Sequence, residues 1–384
     1  MWKRRIRALL GLGRLDACRE QVRVQNRDLK LLSTINGFGA KGLLRSTTHR
    51  ATPPVDDDRL QVEGEAPMAG VQVLTRYCGI EAPYWGLFVN HYHRLGLRQL
   101  QVCVQNDRDA AEVESWDYPE PMTVQVLRLR SDLPPDEALR LLDPSCYRHD
   151  APFTLLADCD EYLQPLRSDL SLRRVFELFP ERAQWSFPWV MCPVLDPLHE
   201  QPRGFWGNHG KPIARSERIE AVASDHHFQV PPVKPRGRIL STPMASMGWV
   251  LVHCLSRSFE DTLLRQLHTR FTCVKNTDRG EIVSRVRSGD LPIRLRVLAY
   301  FSLQERYLDV PVPSLRAIDL AAQTRLLQSC LGESDLQLAR EVFEDYRRLL
   351  RHCLRRLPTY PATTFPDIVA ALPSPHELRE LYGA

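Results

Sequence analysis

The segment FTLLADCDEYLQPL, residues 153–166, runs from an apolar stretch directly into three acids, Asp158, Asp160 and Glu161. Two carboxylates at i and i+2 on a turn just after a strand converge on one point. They repel there unless a cation lies between them, and oxygen ligands suit a hard divalent ion such as Mn²⁺ or Mg²⁺. Such an ion completes its shell with water and phosphate oxygens, so the pattern fits chemistry in which a diphosphate leaves and the metal takes up its charge. Asp158 and Asp160 are the candidate metal and phosphate-site residues. Glu161 is a candidate catalytic acid that orients the turn or pairs with a basic side chain. The alternative is a solvated acidic turn that caps a following helix.

These acids need a scaffold, and residues 71–307 supply its pattern. VQVLT reads as a strand, and APYWGLFVNHYHRLGL places Trp85, Phe88, Val89, Tyr92 and Leu95 at helical spacing, with Gly96 as the stop. RQLQVCVQ and MTVQVLRLR read as strands, DEALRLLDPSC as a helix, and APFTLLAD as a strand with Pro152 at its start. This rhythm predicts an α/β fold, a mostly parallel Rossmann-type sheet flanked by helices. Ligands in such sheets bind beyond the carboxyl ends of the strands, where the acids fall. Residues 308–384 form a helical C-terminal extension, with helices over SLRAIDLAAQTRLLQSCLG and SDLQLAREVFEDYRRLLRHCLRRLP, the second starting on a capping box of Ser334 and Gln337. Residues 1–70 are a basic extension and linker. There Lys3, Arg4, Arg5, Arg7 and Arg14 surround Ile6, Leu9, Leu10 and Leu12. That pattern reads as peripheral contact with an anionic membrane surface or, preferred here, as a solvated basic tail. GFGAKG fits a dinucleotide pattern but lacks the helix that must follow it, so it reads as a loop.

The succession of motifs resembles the family 2-like glycosyltransferases, in the branch that carries an EWxxxHxxxG helix and a DxDEF segment. LLADCDEYLQPL is similar to DxDEF. EAPYWGLFVNHYHRLGLRQLQVCVQNDRD is similar to the branch's first helix, second strand and YDNxSxD loop. GKPIARSERIEAVASDHHF is similar to its K-x-I strand followed by a His, and WVLVHCLSRSFEDTLLRQ to its HYxxRSxEEFxxK segment. The resemblance covers residues 71–277 and implies the GT-A fold, a nucleotide-diphosphate sugar donor, Mn²⁺ or Mg²⁺, and an acceptor hydroxyl. It implies donor contacts at Glu81 (standing in for an NE pair), Asn106, Asp109, Asp158, Lys211 and Arg257. His253 is the implied further metal ligand, with His226 and His227 behind it. The basic residue that ends the last motif is displaced to Arg265 or Arg270.

An inverting transfer also needs a base to strip the acceptor hydroxyl. Asp225, Asp196 and Asp261 are the candidates, and nothing in the sequence decides among them. Trp189, Trp206 and Trp249 read as core residues, and His91 and His93 as helix residues with one face packing and one solvated. The net charge of +4 over 384 residues gives no argument for a nucleic-acid partner. The ten cysteines stand singly, without a CxxC pair, and together with the lack of a secretory signal they point to reduced thiols and a cytoplasmic location. No apolar run reaches the roughly 20 residues needed to span a bilayer. Two rival readings keep the same fold or the same acids. One is a catalytically degenerate GT-A module that binds carbohydrate or docks a partner, and the other is a metal-dependent phosphohydrolase.

Overall fold

The computed structural model describes residues 65–148, 151–165, 171–177, 182–192, 203–231, 249–254, 258–267, 279–303, 308–309, 320–354 and 376. The basic N-terminal segment, GFGAKG, Asp196, Arg257 and Arg270 lie outside them. Strand β1 (Val71–Arg76) lies between β2 (Gln99–Val104) and β4 (Phe153–Leu156), with β3 (Thr123–Arg128) beyond β2, and all three pairings are parallel. The sheet continues β4–β7–β6–β10–β5 through β7 (Arg203–Arg215), β6 (Gln184–Met191), β10 (Trp249–His253) and β5 (Glu161–Pro165). In this second half β6 and β10 are parallel, whereas β4–β7, β6–β7 and β10–β5 are antiparallel. A two-residue strand, β11 (Leu308–Asp309), adds to β7, and a hairpin of β8 (Ala221–Ser224) and β9 (His227–Gln229) stands apart. The expected α/β sheet flanked by helices, with a helical C-terminal region, is therefore the observed architecture.

Both faces of the sheet are covered, which is why β1, β2 and β4 read as nearly continuous apolar runs. On one face α1 (Ala82–Arg94) lays Trp85, Phe88 and Tyr92 against Val73, Val102, Leu155 and Tyr162. Pro83 fits the first turn of α1, where its missing N–H costs nothing. Gly96 ends the helix at φ +90°, and a Cβ there would lie 2.2 Å from that of Ala66. On the same face Ala110 and Val113 of α2 (Asp107–Glu114) join that cluster, while the other face carries Ala138 and Leu139 of α3 (Pro135–Arg140), which pack with Leu74, Leu127 and Leu156. The helix predicted over 136–146 stops at Arg140 and resumes only as a 3₁₀ turn at Pro144–Cys146, because Pro144 breaks the run.

The remaining helices form a second apolar cluster. Phe259, Leu263 and Leu264 of α5 (Phe259–Leu267) meet Ile282 of α6 (Arg279–Arg287), Leu295 and Leu298 of α7 (Ile293–Phe301), Leu327 of α8 (Leu320–Leu331) and Phe343 and Tyr346 of α9 (Glu333–Leu354). A short helix, α4 (Leu172–Glu177), buries Phe176 against Phe153 and Trp185. The capping box at Ser334 does not form. Gly332, at φ +84°, both stops α8 and accepts from the Leu336 N–H, so α9 starts at Glu333. Among the described residues no helix is long and apolar enough to cross a membrane, and the described cysteines, Cys78, Cys103, Cys146, Cys159, Cys192, Cys254 and Cys330, are free thiols.

Candidate active site

The acidic turn leaves the carboxyl end of β4 and, instead of capping a helix, feeds β5. Helix α1 fixes that path. His91 Nε2 lies 2.8 Å from the Leu163 carbonyl, and the Tyr92 hydroxyl donates to the Glu161 carbonyl at 3.0 Å. His91 is buried and His93 faces the Glu120 carbonyl at the surface, the packing-and-solvated split expected of that helix.

Within the turn the two aspartates diverge. Asp158 Oδ1 accepts from Arg76 Nη2 at 2.9 Å and Nε at 3.2 Å, and its Oδ2 accepts from Lys211 Nζ at 2.7 Å. Burial disfavours its charge, but Arg76 and Lys211 outweigh that and hold the carboxyl below the ordinary range. Asp160 turns the other way, its Oδ2 lying 3.1 Å from Arg265 Nη1 and 3.4 Å from His253 Nε2. Asp158 therefore does not fit a metal ligand, because both of its oxygens are taken by cationic side chains. Among the described residues no group of three or more His, Cys, Asp or Glu has metal-holding geometry. Asp160 Oδ2 and His253 Nε2 do approach each other, at 3.4 Å, with Arg265 Nη1 on the same oxygen at 3.1 Å.

Glu161 is fully buried and cannot touch a substrate, which corrects its assignment as a catalytic acid. Its Oε2 accepts the Asp158 backbone N–H at 2.8 Å and lies 3.7 Å from Lys211 Nζ, so it braces the turn. Burial pushes its carboxyl well above the ordinary range, with Lys211 opposing. Its Oε1 and His253 Nδ1 face each other at 3.8 Å, both buried and neither hydrogen-bonded, so the carboxyl also sits behind the imidazole.

Lys211 of β7 is wholly buried and ties the turn to its neighbours, donating also to the Asp225 carbonyl at 2.8 Å. It can sit there because Gly210 lets β7 close on β6. A Cβ on Gly210 would lie 1.9 Å from the Phe187 carbonyl oxygen. Asp225 occupies the turn between β8 and β9 with its side chain 19% exposed, and its Oδ2 is 3.3 Å from His226 Nε2. His226 and His253 both lie against Trp189, at ring separations of 4.9 and 4.5 Å. His227 instead meets Gln184 at 2.9 Å, away from the acids. Trp189 and Trp249 are core residues, as expected.

The other candidates carry structural work. Arg265 joins Glu81 (2.7 Å), Asp160 and Asp261 (3.1 Å) in one buried cluster, which excludes Asp261 as an accessible base and engages Glu81. Asn106 caps α2, accepting from the Asp109 N–H and donating to the Asp109 carboxylate, both at 2.8 Å. Sequence reasoning missed Arg76, whose isolated position at the end of β1 carried no signal. It also read Arg265 as a displaced ending rather than the hub of three carboxylates.

No family model matches the chain, and no curated protein matches it either. Solved structures that resemble it include Staphylococcus aureus TarS residues 1–349, at 13% identity and a TM-score of 0.23, covering 76% of this chain and 93% of that one. A second structure, of S. aureus TarS, gives 14% and 0.24, with 76% of this chain covering 56% of that one. TarS 1–349 in complex with UDP-GlcNAc gives 12% and 0.24, with coverages of 76% and 93%. Scores this low carry no argument about fold or chemistry.

Proposed function

We propose that this chain is a glycosyltransferase that moves a sugar from a nucleotide-diphosphate donor to an acceptor hydroxyl. One observation carries the reading. Four segments remote in sequence meet around a single acidic turn: Arg76 ending β1, Lys211 on β7, Asp225 after β8 and His253 ending β10. A carboxylate pair embedded among cations beside a partly open acid is a set that phosphate binding and hydroxyl deprotonation both need.

In this reading Asp158 is not a ligand but a clamp, fixing Arg76 and Lys211 so that their charge is available to the donor's phosphates. Asp160 and His253 are the residues that would hold Mn²⁺ or Mg²⁺. When bound, that ion offsets charge on the departing diphosphate. Glu161 keeps His253 and the turn in place. Asp225, whose carboxylate faces His226 instead of hydrogen-bonding to Arg76 or Lys211, takes the acceptor proton.

A thermal-shift screen of nucleotide sugars with and without Mn²⁺ tests this. Stabilisation by one nucleotide sugar, and turnover lost in Asp160→Ala, are expected. Full metal-dependent turnover in Asp160→Ala would overturn it. One specific feature favours the degenerate-module alternative, namely that Arg265 already neutralises Asp160. Calorimetry separates the two, because a non-enzymatic module gives no metal-dependent nucleotide binding.

A further inference from the structure

The turn Asp225–His226 joins β8 to β9, and its backbone is set by the Ser224 hydroxyl, which accepts the His226 N–H at 3.2 Å. His226 Nδ1 lies 3.2 Å from the Gly210 carbonyl oxygen. A carbonyl oxygen only accepts, so Nδ1 carries the hydrogen. In the neutral ring Nε2 is then a bare lone pair, and it faces Asp225 Oδ2 at 3.3 Å. Two acceptors set this close are complementary only when one proton lies between them.

We propose that Asp225 and His226 form a proton-sharing dyad that activates the acceptor hydroxyl, Asp225 as the catalytic residue and His226 as its positioning and proton-sharing partner. This rests on the transferase reading above and deepens it. The acceptor O–H bond breaks and its proton passes to Asp225 Oδ2, where His226 Nε2 shares it. The freed electron pair on the acceptor oxygen forms the bond to the anomeric carbon. The bond from that carbon to the diphosphate oxygen breaks, its electron pair leaving with the diphosphate. Accessibility agrees, since the side chains of His226 and Asp225 are 35% and 19% exposed. The dyad is also tied to the acidic turn, because Lys211 bridges the Asp225 carbonyl and the Asp158 carboxylate.

The groups facing the ring set its proton affinity. They are Asp225 on its own turn, Lys211 and the Gly210 carbonyl from β7, Asp158 beyond Lys211, and Trp189 of β6 against its edge. Burial and Lys211 lower the imidazole pKa from its ordinary value, and Asp225 opposes them.

Two measurements on the full chain decide this. Long-range ¹H–¹⁵N spectra should show His226 as the Nδ1–H tautomer, with its pKa falling further in Asp225→Asn. An Nε2–H tautomer, or a pKa that ignores Asp225→Asn, overturns the dyad without reference to activity. UDP release from UDP-N-acetylglucosamine or UDP-glucose supplies the second readout. His226→Gln, which can still donate to Gly210 but cannot hold the proton, should lower kcat 10- to 100-fold at unchanged donor KM and displace the acidic limb of the pH profile. An unchanged kcat, or a loss confined to donor KM, overturns it. Failure of the wild-type chain to release UDP counts against the transferase reading, while the spectra still decide the dyad.

Discussion

Acidification should destabilise this protein through His91, and the size of the effect follows from its surroundings. The ring is buried between Tyr92 and Tyr162, with Nε2 at 2.8 Å from the Leu163 carbonyl. Burial lowers its pKa from 6.5 to about 4, outweighing the Leu163 carbonyl, which acts the other way. The folded state therefore binds fewer protons than the unfolded chain between those values, and stability rises with pH across the window. Stability is fully present above the unfolded value of 6.5 and falls as the pH drops toward 4. The shift of roughly 2.5 pH units limits the total loss to about 3 kcal/mol, of which about 2 kcal/mol is lost between pH 7 and 4.5. Urea unfolding at pH 7, 5.5 and 4.5, compared with His91→Gln, isolates the contribution because other titrating groups cancel in the difference. The variant should be weaker than wild type at pH 7 by about 1 kcal/mol, having lost an aromatic packing partner, and should converge on it or exceed it by pH 4.5. Parallel curves for the two proteins, or a His91 titration by NMR at or above 6.5, would refute the reasoning.

Arg265→Met should cost about 3 to 5 kcal/mol at pH 7, since it leaves Glu81, Asp160 and Asp261 buried without their shared guanidinium; a denaturation midpoint within error of wild type would show that the cluster is not held by this residue. Gly210→Ala drives a Cβ to 1.9 Å from the Phe187 carbonyl oxygen, so β7 must move off β6. A loss of about 2 kcal/mol or more is expected in thermal unfolding, and an unshifted Tm would contradict the close approach. Metal dependence should follow the split between the aspartates. Stabilisation by Mn²⁺, reversed by EDTA, should vanish in Asp160→Ala and His253→Ala but survive in Asp158→Asn; a response abolished by Asp158→Asn and kept by His253→Ala would invert the assignment.

How much of this was legible beforehand depended on whether a residue's role is set by neighbours in sequence or in space. Periodicity located β1, β2, β3, β4 and α1, because burial on one stripe or on both faces writes itself into consecutive residues. The acidic turn at a strand end was equally local. The fate of its charges was not. Asp158 and Asp160 stand two residues apart, yet one is claimed by Arg76 and Lys211, 82 and 53 positions away, and the other by Arg265, 105 positions away. A spacing rule sees two oxygens free to converge on one ion; it cannot see cations delivered by β1, β7 and α5. The same holds for Asn106 and Asp109, which fit a ligand loop but whose hydrogen bonds close on each other at the start of α2. It holds in reverse for His226, one of two adjacent histidines in SDHHF. The contact that makes it more than a surface ring comes from the carbonyl of Gly210 on β7, 16 positions away. Residue type and spacing thus narrow the chemistry to a few atoms, and the counter-charges that decide what those atoms do arrive through the topology of the sheet.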